Sequence, residues 1–174
     1  MKRTLAVLGA CLVAASVAQA SQFRRFDRAT QVAGSDVILV GRVSDMRSRW
    51  SDDRSVILTD NEIFVDDVWK GDVAGNRVVV ETLGGAVDDI ELKVDGSPAF
   101  AVGERVVLFL TSRGDSFTPW GMKFGKLAVE GDGDGAFVLG SLPTAVEGIG
   151  AASEQVSLSL AELRGEVGRA LEAH

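Results

Sequence analysis

The stretch DVILVGRV…NEIFVDDVWKG, Asp36 to Gly71, decides the fold. Val37 to Ser44 is a nearly continuous run of Val, Ile and Leu interrupted at Gly41. β-Branched residues fit a pleated surface, and a Gly within such a run marks a bend or bulge. From Val56 to Trp69 the apolar positions are Ile57, Ile63, Phe64, Val65 and Val68. Their alternation breaks across Thr59 to Glu62, which predicts a bulge in mid-strand. Two long strands thus flank a polar tip made of Arg47, Arg49, Trp50, Asp52, Asp53 and Arg54.

Working outward, the remaining chain supplies what those strands need to close on themselves. Turn signals at Lys70-Gly71-Asp72 and Gly75-Asn76 precede a third strand, Arg77 to Thr82, which Gly84-Gly85 ends. Val87, Ile90, Leu92 and Val94 make a short amphipathic strand, and Asp95 to Pro98 a turn. Val106 to Leu110 is the most apolar run downstream of the N-terminal segment, which predicts a fully buried central strand. Phe117 to Glu130 and Ala136 to Leu139 read as a hairpin around the Asp-Gly turn at 131–135. Ala151 to Val156 reads as a connecting loop. Ser159 and Glu162 form a capping box that opens a C-terminal helix at about 159–173, with Leu160, Leu163, Val167 and Leu171 on one face. Gly165 and Gly168 each weaken that helix by about 1 kcal/mol relative to Ala, so docking must hold it. Near the N-terminus, Phe23, Phe26, Ala29, Val32 and Ala33 recur at helical spacing before Gly34, with Arg24, Arg25 and Arg28 expected in water. The fold class is mainly β, with one short helix at the start and one helix at the end.

The chain has 174 residues, enough for one domain with a substantial core. Lys2 and Arg3 followed by apolar Leu5 to Val17 and a small-x-small site at Ala18-Gln19-Ala20 read as a signal peptide over residues 1–20. Cleavage between Ala20 and Ser21 leaves a single exported domain, 21–174, in the periplasm or outside the cell. Cys11 is read as apolar filler of the leader rather than a lipidated cysteine, because the apolar run continues past it. Loss of Lys2 and Arg3 takes the net charge from −7 to −9 and removes the only Cys. Such a charge opposes binding to nucleic acid, whose phosphates draw Lys and Arg. No second apolar run is long enough for a membrane helix.

Chemistry-bearing residues are few. The one His is the terminal His174, and there is no Gly-x-Ser-x-Gly elbow. Zinc sites draw on His and Cys, so neither a metal nor another cofactor is expected. Asp52-Asp53, Asp66-Asp67, Asp88-Asp89, Asp132 and Asp134 supply carboxylates that could in principle act as acid and base in pairs. Glu130 to Gly135 alternates acid and Gly like the first half of an EF-hand loop, but the twelfth position is Ser141, so a hairpin turn is the better reading. The tip remains, with Arg47, Arg49 and Trp50 as candidate binding residues. Arg and Trp are favoured at interaction hot spots, while Asp45, Asp52 and Asp53 balance the local charge. An ordinary hairpin end with cross-strand ion pairs is the competing account.

Three motifs carry a family resemblance: SDVILVGRV (Ser35–Val43), FVDDVWKG (Phe64–Gly71) and GERVVLFL (Gly103–Leu110). Together they resemble uncharacterised exported bacterial proteins, which in turn resemble the netrin/TIMP-like (NTR) group of OB-type barrels. The resemblance implies a small closed or partly open OB-like barrel over about residues 36–140, with helices packed outside. TIMP-type inhibition works through an N-terminal Cys that chelates zinc. Here the expected mature start is Ser21 and the disulfide cysteines are absent. The expected function is therefore a non-enzymatic exported binding domain whose partner is another exported protein. The alternatives are a protease-inhibitor-like module acting through another edge or loop, and a hydrolase using an acidic pair.

Overall fold

A computed structural model describes residues 27–144 and 152–173. The expected leader, with Cys11, Ala20 and Ser21, lies outside these residues, as does the part of the expected N-terminal helix before Asp27. Strands β1 (Val37–Trp50) and β2 (Ile57–Lys70) pair antiparallel, with Ile38 opposite Lys70 at one end and Trp50 opposite Ile57 at the other. Pairing continues through the residues read as a polar tip. Arg47, Arg49 and Trp50 are strand residues, and the turn is confined to positions 51–56. Polarity at Arg47 and Arg49 reflects a sheet face in water, whereas Asp52, Asp53 and Arg54 lie in the turn as expected.

The register slips at Val40/Gly41, as the sequence suggested, and a Cβ on Gly41 would lie 2.6 Å from the Phe64 carbonyl oxygen. Only Gly allows that approach. The bulge expected within Thr59 to Glu62 is absent from β2, which pairs with the third strand in unbroken register from Leu58 to Phe64. Opposite Glu62 and Ile63 the slip belongs to β1, where Ser44 is the extra residue. The broken alternation has another cause: Thr59 and Asn61 are polar yet buried, on the same face as Ile57 and Ile63.

Strand β3 (Arg77–Leu83) lies on the free edge of β2, and a small separate hairpin, β4 (Gly85–Val87) with β5 (Ile90–Leu92), follows. Strand β6 (Arg105–Arg113) then returns to the other edge of β1. Strand β7 (Ser116–Pro119) pairs with β6 and touches β3 in parallel at one pair, Val80 with Phe117. Five strands thus close a ring in the order β1, β2, β3, β7, β6. Strand β8 (Lys126–Glu130) pairs with β6 on the edge that β7 uses, so β7 and β8 are two halves of one strand separated by a short 3₁₀ turn at Met122–Gly125. From β8 the sheet extends to β9 (Phe137–Thr144) and β10 (Ala152–Ser159). The expected hairpin is therefore β8 with β9. The expected loop at Ala151 to Val156 is instead largely strand, because it continues the sheet by pairing with β9.

Two cores follow from this closure. Val37, Leu39, Val43, Ile63, Val78, Val80, Val106, Leu108 and Leu110 fill the inside of the ring. Ile38, Val40, Val107 and Phe109 point outward and meet helices α1 (Arg28–Gly34) and α2 (Leu160–Glu172) together with Leu127 and Val138 of the extension. Helix α2 starts at the expected capping box, Ser159 with Glu162, and buries Leu163, Val167 and Ala170. Leu171, assigned to the buried face by periodicity, is exposed. Arg28 is not in water: its Nε meets Glu166 at 3.3 Å and its guanidinium lies 5.4 Å from the Phe109 ring centre. Burial lowers its pKa, against the pull of Glu166.

The ring is apolar at one end and polar inside at the other. Ser48, Thr59, Asn61 and Thr82 line the polar end, with Ser48 Oγ 2.9 Å from Thr59 Oγ1. Asn61 Nδ2 donates to Val80 O and Thr82 Oγ1, and Thr59 Oγ1 donates to Gly84 O. The chain crosses this end at Gly85, where an added Cβ would lie 2.3 Å from both Ser48 Oγ and Thr59 Oγ1 and φ is +133°. Gly85→Ala should therefore destabilise by roughly 2–6 kcal/mol, combining backbone strain with overpacking. Gly75 also has positive φ, but nothing lies within 4 Å of its added Cβ. Gly75→Ala should cost only the strain, roughly 1–3 kcal/mol. Urea midpoints for the two variants measure the difference.

Candidate functional site

Alternation puts successive side chains on opposite faces of a strand. The registers of β1, β2 and β3 therefore set the outer face in rows. Arg42, Phe64 and Arg77 form the first; Asp45, Glu62 and Val79 the second; Arg47, Asp60 and Glu81 the third; Arg49, Leu58 and Leu83 the fourth. The helices and the β8–β10 extension pack on the opposite side of the ring, against β1 and β6. Phe64, Val79 and Leu83 consequently stay 40%, 37% and 42% exposed, three large apolar side chains on one face.

The charges between them are ordered. Arg49 Nε meets Asp60 at 2.7 Å, and its Nη2 meets Glu81 Oε2 at 2.7 Å. Arg113, at the end of β6, adds a bond from Nη1 to Glu81 Oε1 at 3.1 Å. The Glu81 side chain is 10% exposed, and two guanidinium groups compensate its charge. A buried carboxylate without them would carry a desolvation cost of several kcal/mol. The Asp60 carboxylate, with Glu81, raises the Arg49 pKa further. Arg77 pairs with Glu62, and Ser44 Oγ donates to the same Glu62 at 2.8 Å, so Glu62 is held below the usual carboxylate range.

Beside Glu81 the ring is weakest. Strands β3 and β7 share one residue pair, and beyond it a cleft of about 220 Å³ opens. Leu58, Leu83, Pro98, Pro119 and Met122 make its apolar lining, with Glu81 and Arg113 among the polar groups. A second cleft, of about 250 Å³, lies near the start of α2. Within it Asp67 is engaged by Trp69 Nε1 at 3.0 Å and by Arg164 at 3.2 Å, and Arg105 is paired with Asp66.

The three residues singled out from sequence do not form one patch. Arg47 and Arg49 lie on the outer face. Trp50 lies on the other face of β1 with Ser48, at the polar end of the ring and opposite buried Ile57. Arg47 is exposed and bonded to Asp45 at 3.1 Å, while Arg49 is tied into the Glu81 network. Sequence reading missed Phe64, Val79, Glu81 and Arg113. The period-2 pattern could have placed the first three on one face, but Arg113 arrives by ring closure alone. Asp132 and Asp134 sit in an exposed turn, and no group of three or more potential metal-ligating side chains occurs among the described residues.

The turn at 51–56 is held together by local hydrogen bonds. Asp53 Oδ1 accepts from Ser51 Oγ at 2.6 Å, from Ser55 Oγ at 2.8 Å and from Ser55 N at 3.1 Å. These bonds favour the ionised form and lower the Asp53 pKa from 3.8 to about 2. Because the folded value is depressed, the turn's contribution is complete above the unfolded pKa and is lost as pH falls through about 2. An NMR titration should find Asp53 ionised at pH 3, and Ser51→Ala should move its midpoint up. Separately, Glu81→Gln should lower stability by roughly 1–3 kcal/mol, since it weakens two charge-assisted bonds at a buried position. Urea denaturation checks this.

No protein-family model matches the chain, and it matches no curated protein.

Proposed function

We propose that this chain is an exported, non-enzymatic OB-type barrel that binds another exported protein through the open β1–β2–β3 face. The observation that carries the reading is the face itself: Phe64, Val79 and Leu83, three exposed large apolar side chains among ordered, paired charges, none of them in the core that the two described helices share with the sheet. Large exposed apolar side chains within a polar surround are the features of an interaction surface. The strand order β1–β2–β3–β7–β6, with β1 on β6 and a parallel contact between β3 and β7, supports the OB-type assignment. The three motifs behind the netrin/TIMP-like resemblance fall on β1, β2 and β6, which lie side by side.

Charge supports a protein partner over a nucleic acid. Setting aside Lys2, Arg3, Arg24, Arg25 and Glu147, the described residues include 14 of the 18 Lys and Arg and 24 of the 25 Asp and Glu. On the face, Arg42, Arg47, Arg49, Arg77 and Arg113 stand against Asp45, Asp60, Glu62 and Glu81. The face is thus close to neutral on an acidic molecule, with no continuous basic track for phosphates. Against the hydrolase alternative, Asp66 and Asp67 are each tied to a different arginine.

The test places a photo-crosslinking amino acid at Val79, or at Ala161 on α2 as a control, in cells that make the protein. A discrete crosslinked species from Val79, lost with Phe64→Ser and absent from Ala161, is the expected result. Crosslinking from Ala161 alone, or none from Val79, rejects the face as the binding surface.

A further inference from the structure

We infer that the cleft between β3 and β7 takes one large apolar side chain of an extended partner segment, and that Arg113 selects segments with a carboxylate beside that side chain. This rests on the binding reading of the open face and names the chemistry of its partner.

Size comes first. A cleft of about 220 Å³ is smaller than the roughly 300–1,000 Å³ usual for small-molecule sites. It suits one bulky side chain, and burying such anchors supplies much of the energy at protein interfaces. Leu83 and Met122 on its lining are 42% and 40% exposed, so covering them removes apolar surface from water. Met also adapts its shape to different guests.

Charge then narrows the guest. Glu81 is already satisfied, with Oε1 on Arg113 and Oε2 on Arg49. It has little capacity to recognise an incoming cation. Arg49 is likewise engaged, by Asp60 and Glu81. Arg113 differs: its side chain is 66% exposed, and the ion pair to Glu81 uses one of its five N–H donors. Glu81 holds Nη1 of the guanidinium at the cleft lining, and the rest of the side chain is largely open to solvent. Such a fork matches a carboxylate in two-point geometry, which an ammonium group cannot do. An apolar anchor next to Glu or Asp satisfies both parts of the site, whereas an anchor next to Lys sets a cation against Arg113.

The experiment uses the protein without residues 1–20 and three short fluorescein-labelled peptides, acetylated and amidated, with cores Glu-Phe-Glu, Lys-Phe-Lys and Glu-Ser-Glu. Anisotropy should show Glu-Phe-Glu binding about ten-fold more tightly than either of the others. Arg113→Gln should remove the preference for Glu over Lys while leaving the preference for Phe over Ser. Met122→Ser should do the reverse, which guards against a variant that merely misfolds. Equal or tighter binding of Lys-Phe-Lys, binding indifferent to both substitutions, or no binding of any peptide overturns the inference. In those cases a Val79 crosslink that still needs Phe64 leaves the open-face reading standing. Loss of that crosslink as well removes both.

Discussion

The structure depends on the pairing of β1 with β6. Val37 to Val40 and Val106 to Leu110 are buried on both faces, because each strand is a wall shared by two cores. Leu39 and Leu108 face into the ring, while Ile38 and Phe109 face the helices. A one-residue slip would exchange the two sets and misplace every large side chain at once. That requirement explains why these runs carry no polar alternation. It also locates the open surface: among the described residues the helices and the β8–β10 extension cover chiefly the outside of β1 and β6, and Phe64, Val79 and Leu83 of β2 and β3 stay exposed.

Much of this was legible in the sequence, and for physical reasons. Continuous Val, Ile and Leu runs marked the strands buried twice, Gly41 marked the irregularity at which the β1–β2 register slips, and Ser159 with Glu162 marked the start of α2. Other parts were hidden by ring closure. Thr59, Asn61 and Thr82 look like solvent positions on a strand, yet they face inward at the polar end, where Asn61 Nδ2 and Thr59 Oγ1 donate to Thr82 Oγ1 and backbone carbonyls while Asn61 Oδ1 has no partner among the described residues. Their inward polarity imitated a change of phase and suggested a bulge that β2 does not have. Strand β10 was hidden too, because its first half, Ala152 to Gln155, has no strong apolar residue and only Val156 and Leu158 alternate with Ser157 and Ser159.

The candidate site shows the same division. Arg49 and its neighbours were visible as a charge-balanced stretch, but the partners differ: Arg49 pairs across strands with Asp60 and Glu81, Arg47 pairs with Asp45 of its own strand, and Asp53 is bonded to the turn serines. Phe64 was visible as an apolar residue, and its outward side follows from the unbroken alternation of β2 with Leu58, Asp60 and Glu62. Arg113 was beyond reach, since its partner Glu81 lies 32 residues away in sequence. Long-range contacts of that kind come from topology, and local patterns do not encode them.

Glu81 links the fold to the proposed function. A carboxylate at an outward position of a sheet normally remains in water, where ion pairs contribute little. Here the divergence of β3 from β7 makes a cleft, and the side chains around it largely cover Glu81. The charge is then tolerable only because Arg49 and Arg113 approach from two different strands. One of those arginines, Arg113, is thereby held at the lining of the cleft, with one of its five donors on Glu81 and its side chain 66% exposed. The same defect in ring closure that forces the buried ion pair also leaves apolar surface uncovered beside it. A weak seam in the ring is thus the place where an apolar pocket and an ion-paired guanidinium coincide, and either alone would be an ordinary surface feature.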